Sequence, residues 1–333
     1  MLKKTVFSLV SVLGLMSAQQ VLACASCGCT LSSDWENMSY SAHGGFKFDL
    51  RYDYIDQDKL INGTKSLSPQ AASQISNGGN SQEVEKYTRN TYVTAVADYT
   101  NGGDWGIAAS LPLIKRQHET LGTASDGVNI GPGGGSYVSD NTSIGDMRLT
   151  ARYVGFSARH NIGLMLGLKL PTGQTHVTGN STDPTAPAPV TIDPGLQPGT
   201  GTTDLILGGF YTEAINENWG YYTQIMYQRA FAMVNQYRPG DGYNLNLGLR
   251  YEGFDSIKPQ IQINGRFVRH DTGAIADMVS TGGTLVYLSP GVSIALKNGA
   301  SLYGFMQFPL YQNVNGVQLT PKMSVSIGSR FSF

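Results

Sequence analysis

The chain has 333 residues, of which 14% are charged, with 41 glycines, 18 tyrosines and 23 basic against 24 acidic residues for a formal charge of −1. Long Leu/Ala/Glu/Lys stretches are missing, so the composition is all-β rather than helical. No basic patch interleaved with aromatics occurs, which argues against nucleic acid as a partner.

In chain order, Met1-Leu-Lys-Lys is a basic start, Thr5 to Met16 is apolar, and Val21-Leu-Ala23 offers small residues for cleavage. Residues 1–23 read as a secretory signal peptide and drop out of the fold. Losing Lys3 and Lys4 takes the charge from −1 to −3. No run of roughly eighteen apolar residues follows, so no transmembrane helix is expected.

Residues 24–42 form a Cys-containing N-terminal segment, expected at the periplasmic mouth with Trp35 as its anchor. Cys24, Cys27 and Cys29 leave three readings open. An oxidising compartment favours a disulfide with one odd thiol. Val21-Leu-Ala-Cys24 approximates a lipidation signal. Three converging thiolates could also hold a soft metal or do redox work.

From residue 43 onward, segments of about ten residues alternate apolar and polar, the length of a tilted strand crossing a bilayer. Phe46, Phe48, Leu50, Tyr52 and Tyr54 oppose Lys47, Asp49, Arg51 and Asp53. Met147, Leu149, Ala151 and Tyr153 oppose Asp146, Arg148, Thr150 and Arg152. The pattern recurs at 162–170, 244–250, 260–267, 286–294 and 301–310, and more weakly near 87–99, 104–118, 202–215 and 218–232. The last strand, Met323 to the terminal Phe333, alternates strictly, and an aromatic end is typical of outer-membrane barrels. Short links at 101–104, 157–160, 216–218, 253–255 and 297–300 alternate with longer stretches near 57–86, 119–142, 172–201, 233–240, 271–280 and 312–318. Residues 43–333 are therefore expected to form a single antiparallel transmembrane β-barrel of about 12 strands, with short periplasmic turns and long extracellular loops. Trp105, Trp219, Tyr221, Tyr251 and Tyr311 suit interfacial girdles.

The alternation turns Asp49, Arg51, Asp53, Asp146, Arg148, Arg152, Lys169, Arg250, Arg266, Lys322 and Arg330 inward, with the aromatics Tyr222, Tyr287, Tyr303 and Phe305. These charges either brace a plug or line a wet passage. The lumen-lining candidates are Asp49, Arg51, Asp146, Arg148, Arg152, Lys169, Arg250, Arg266, Tyr303 and Arg330, with Asp146 and Asp49 as partners for Arg148 and Arg152. Arginine outnumbers aspartate in this set, so an open pore would lean cationic.

Five stretches carry a family resemblance: Ser143-Ile-Gly-Asp-Met-Arg-Leu-Thr-Ala-Arg-Tyr153, Leu166-Gly-Leu-Lys-Leu-Pro-Thr-Gly173, Gly199-Thr-Gly-Thr-Thr-Asp-Leu-Ile-Leu-Gly208, Tyr287-Leu-Ser-Pro-Gly291 and Tyr303-Gly-Phe-Met-Gln-Phe-Pro-Leu-Tyr-Gln312. Together they resemble the outer-membrane "MetA-pathway of phenol degradation" transporter-like barrels. The resemblance implies passage of small, often hydrophobic or aromatic molecules and transfers no substrate residue.

Catalysis is not expected. The five histidines are scattered, and no Gly-x-Ser-x-Gly elbow accompanies them. Gly131-Pro-Gly-Gly-Gly135 lacks the Lys-Ser/Thr end of a phosphate loop. No cofactor is expected. The expected partners are outer-membrane lipid, small solutes and the barrel-assembly machinery. The functional expectation is a bacterial outer-membrane channel for passive uptake of small hydrophobic or aromatic molecules. The alternative is a barrel linked to metal handling or redox through Cys24, Cys27 and Cys29.

Overall fold

The computed structural model describes residues 44–124, 130, 134–185 and 188–333. The signal segment, Trp35 and the three cysteines lie outside the described residues. The long strands are β1 Gly45–Gly63, β2 Glu85–Thr100, β3 Trp105–Thr120, β4 Tyr137–Ile144, β5 Met147–Tyr153, β6 Ile162–Leu170, β7 Asp204–Asn216, β8 Trp219–Ala230, β9 Gly242–Tyr251, β10 Ile257–Val268, β11 Gly283–Ala295 and β12 Ala300–Ser332. Consecutive strands pair antiparallel, except that β4 and β5 both pair with β3, and β12 returns to β1, so the sheet closes. Closure pairs the strands around the ring, as hydrocarbon requires; beyond Met147 the side of β4 away from β3 is paired, among the described residues, only at Tyr137 and Val138.

Two departures from one element per crossing set the strand count. β4 and β5 are one crossing, broken at Gly145-Asp146, because both pair with β3: Leu113↔Ile144 and Ser110↔Arg148 flank Pro112. Conversely, β12 is a hairpin. Its first half pairs with β11 up to Val314, and its second half pairs with β1 from Val317 to Ser332. Gly316, at φ 56°, makes the turn between them. Eleven sheet elements thus give twelve crossings. The sequence led us to expect a long loop at 312–318; the chain turns there within Asn315-Gly316 instead.

The five short links lie on one rim, where β1 also begins and β12 ends, and Phe333 N–H donates to the Phe46 carbonyl at 2.9 Å. At one of them Asn298 and Gly299 both have positive φ, 60° and 72°, which a tight hairpin of this hand demands. The other rim carries the longer loops. There a short helix, Pro69–Ser73, starts at Ser68, whose hydroxyl accepts from Ala71 N–H at 3.2 Å. Leu60, Ala72, Val84, Val317 and Leu319 form a small apolar core in this dome.

Apolar side chains clothe the outside. Phe46, Leu50, Leu164, Leu166, Ile225, Leu247, Ile261, Leu310 and Ile327 are all exposed. Aromatics gather at both ends of this belt, as interfacial girdles do. Trp105 packs on Tyr153, and Trp219 on Tyr251, near the short-turn rim. Tyr227, Tyr243 and Phe267 pack in series near the loop rim. One expected interior charge is outside. Lys322 is exposed and pairs with Asp58 at 2.9 Å. Ile55 faces Ser324 while Gln57 faces Pro321, so Lys322 and Met323 stand opposite Asp56 alone. This bulge breaks the period of two and re-aims the lysine.

Candidate functional site: the barrel lumen

The interior is polar by construction, since the side chains opposite each outward apolar residue must face it. On one side it is filled. Asn246 donates to Gln224 at 2.9 Å, Asn264 to Asn246 at 2.8 Å, Ser289 to Asn264 at 2.6 Å, and Ser324 to Gln307 at 3.3 Å. This ladder runs across β8 to β12 and satisfies amides that burial would otherwise leave costly. Inward aromatics fill the rest of this wall by lying over glycines on adjacent segments. A Cβ at Gly163 would meet the Phe210 ring at 2.2 Å, at Gly291 the Phe305 ring at 2.2 Å, and at Gly328 the Tyr303 ring at 2.2 Å.

The other side is open. A cavity of about 490 Å³ runs from Asp98 and Arg152, near the short-turn rim, past Ser110, Arg148 and Thr150 to Arg116, Pro239 and Asp271 below the loops. A second, mostly apolar cavity of about 430 Å³ lies among the loops, lined in part by Ile192, Val234, Ala274 and Ile275. The two share Pro194, Gln197, Thr200 and Tyr237 as a common wall.

The sequence-selected residues divide into three groups. Asp49, Arg51, Asp146, Arg148, Arg152, Lys169 and Arg266 line the large cavity. Tyr303 and Arg330 are interior but packed into the wall: the Tyr303 hydroxyl donates to Asp49 at 2.8 Å, and Arg330 pairs with the same carboxylate at 2.7 Å. Arg250 does not reach the cavity. It sits at the short-turn end of β9, ion-paired with Glu252, which also pairs with Lys258 at 2.8 Å.

The ion pairs differ from those expected. Arg152 is held by Asp98, not by Asp146 or Asp49. Gly106 on the intervening strand explains the reach, because a Cβ there would meet the Arg152 guanidinium carbon at 2.6 Å. The missing side chain lets the arginine lie across β3 to Asp98 on β2. Lys169 bridges Asp146 at 3.0 Å and Asp204 at 3.1 Å. Arg51 pairs with Asp53 at 2.8 Å. Arg266 donates to the Asn244 side chain at 3.3 Å. Arg116 donates to Asn90 at 2.6 Å and to the Gly195 carbonyl at 3.2 Å, tying the loop segment to the wall.

Arg148 stands apart. It is exposed although it faces inward, and among the described residues no hydrogen bond or ion pair holds its guanidinium. The sequence reading missed Asp98, Arg116, Asp204 and Asp271, all of which line the cavity. With them the lining charges balance, so the cationic lean expected from the inward-facing set is not a property of the whole lumen. Asp98 is legible in the sequence: it alternates with Ala97 and Tyr99 within the strand expected near 87–99. Asp271 lies in a loop, where no period signals direction. Its hydrogen bonds from Tyr237 at 2.8 Å and Gly240 N–H at 2.8 Å follow from tertiary packing.

No family model matches the chain, and no curated protein matches it in sequence. The resemblance to phenol-degradation barrels therefore gains no support from that direction. Solved structures do match. The fold is similar to that of an outer membrane channel from Pseudomonas putida F1, with a TM-score of 0.61 and 14% identity over 88% of this chain and 98% of that one. It is also similar to the deltaS2S3 mutant of the TodX monoaromatic hydrocarbon channel, with a TM-score of 0.50 and 11% identity over 89% and 92%. At these identities the likeness is one of fold.

Proposed function

We propose that this chain is an outer-membrane channel for the passive uptake of small hydrophobic or aromatic molecules. The observation that carries the reading is the pair of adjoining cavities. An apolar chamber of about 430 Å³ at the loop rim shares a wall with a lumen of about 490 Å³ that reaches toward the opposite rim. Chambers of this size suit one small ring compound. The apolar chamber would take the solute from water, and the polar lumen would hold it weakly enough to release it. Outer-membrane lipid would surround the exposed belt, and the barrel-assembly machinery would receive the chain through its C-terminal strand. The fold likeness to two outer-membrane channels agrees with this reading.

Liposome swelling tests it. With a lipopolysaccharide outer leaflet, which slows apolar solutes, proteoliposomes should admit phenol or toluene-sized solutes faster than protein-free vesicles of the same lipids, and a bulky Ile192→Trp in the loop chamber should slow them. Flux equal to that of empty liposomes would refute the channel.

A further inference from the structure

The Arg148 guanidinium is a set of donors without an acceptor. The two nearest carboxylates are committed elsewhere. Asp146 accepts from Lys169, from Gly173 N–H at 3.0 Å, and from the Thr200 N–H and hydroxyl, each at 3.0 Å. Asp204 accepts from the Thr202 hydroxyl at 2.6 Å and Gln228 at 2.6 Å, and pairs with Lys169 at 3.1 Å. Arg266 and Arg51 are close enough to repel Arg148, and Asp204 and Asp146 attract it without a hydrogen bond to it. An exposed arginine whose neighbouring carboxylates already accept from other donors keeps its own donors free for a solute.

We infer that Arg148 is the binding point for the carboxylate of the transported solute, and that the solute class is a one-ring aromatic carboxylate. The inference rests on the channel reading and narrows it. The guanidinium presents a planar fork that matches a carboxylate bidentately. Met165, Phe210 and Met226 line the same cavity and offer the ring an apolar, polarisable wall. Phe210 is fixed there by Val154 and Tyr222, so the wall is preformed. A neutral ring would meet that wall and leave the arginine unanswered. An inorganic anion would meet the arginine and leave the wall unused.

The probes are benzoate and phenol at neutral pH, in vesicles with a lipopolysaccharide outer leaflet that slows apolar solutes, bearing the full barrel, each rate taken as the excess over protein-free vesicles. The wild type should pass benzoate at a rate at least equal to phenol. In Arg148→Gln the benzoate-to-phenol ratio should fall about tenfold, equivalent to about 1.4 kcal/mol, and Arg148→Lys should keep part of it. An unchanged ratio in Arg148→Gln overturns the inference. So does a wild type that passes phenol but not benzoate, a result that leaves the channel itself standing. Passage of neither solute would remove the channel reading as well. A measurement on the wild type does not depend on how the variant folds: in planar bilayers, benzoate should block chloride current. Absence of block overturns the site.

Discussion

Arg152 illustrates how far a single side chain depends on its neighbours' absences. Its salt bridge to Asp98 crosses a strand only because residue 106 is glycine. Asp98 is 2% exposed, so removing the arginine strands a buried charge. Arg152→Ala should cost about 3–5 kcal/mol, read as a lower urea midpoint for the refolded barrel. Replacing both partners, as in Arg152→Gln with Asp98→Asn, should cost clearly less, because no charge is left alone. Equal losses in the two variants would show that the pair is not what stabilises the wall. A second residue-scale effect lies in the loop dome. Burial pushes the Glu83 carboxyl up to about 7, with Asp277 adding a smaller push the same way. Asp193 is pushed up as well, first by burial. A carboxyl raised in the folded state favours folding fully below its unfolded value and loses that contribution as pH rises through its folded value. The dome should therefore loosen as pH rises from about 4.5 through about 7, seen as faster hydrogen exchange in residues 64–84. Glu83→Gln should flatten this dependence; a dome whose exchange is already independent of pH, once intrinsic rates are divided out, would contradict it.

Among the elements, the inward aromatics show how a wall can be filled without closing the passage. Phe210 on β7 lies directly opposite Gly163 on β6, and Phe305 on β12 opposite Gly291 on β11. Each glycine gives the neighbouring ring room to lie along the sheet instead of standing into the lumen. Gly163→Val would force the Phe210 ring away from Val154 and Tyr222. Overpacking of this kind costs about 1–3 kcal/mol, and the displaced ring should also narrow the cavity. Melting followed by heat-modified gel mobility should show the loss, and Phe210→Leu in the same background should restore part of it. A Gly163→Val barrel as stable as the parent would mean that the ring is not held over the glycine. Other elements depend on irregularity. The bulge that turns Lys322 outward and the Gly145-Asp146 break beside Pro112 interrupt the ladder, and both fall where simple alternation misassigns or shortens a strand.

For the molecule as a whole, the exposed apolar belt and the polar interior are one fact seen from two sides. Leu247, midway along β9, faces out, and its neighbour Asn246 is buried in the amide ladder. Leu247→Arg should cost roughly 2–4 kcal/mol when the barrel folds into a bilayer, measured by reversible folding into thin lipid vesicles. The same variant should lose much less in short-chain detergent micelles, where an arginine reaches water easily. Equal penalties in the two environments would show that the belt does not meet hydrocarbon.

The class of fold, the number of crossings and the facing of most residues were fixed by the chain's own period of two. A strand has only two faces, and one of them had to be apolar. That local rule placed Asp49, Arg51, Asp146, Arg148, Arg152, Lys169 and Arg266 inside without knowledge of any contact. It could not say which charges meet, because a partner two strands away is chosen by strand register and by whether the strand between carries a side chain. Hence Asp98 took Arg152, Lys169 was shared between Asp146 and Asp204, and Arg148 was left facing the lumen. Nor could it find the loop chamber, whose walls come from segments with no period, brought together only by packing over the closed barrel.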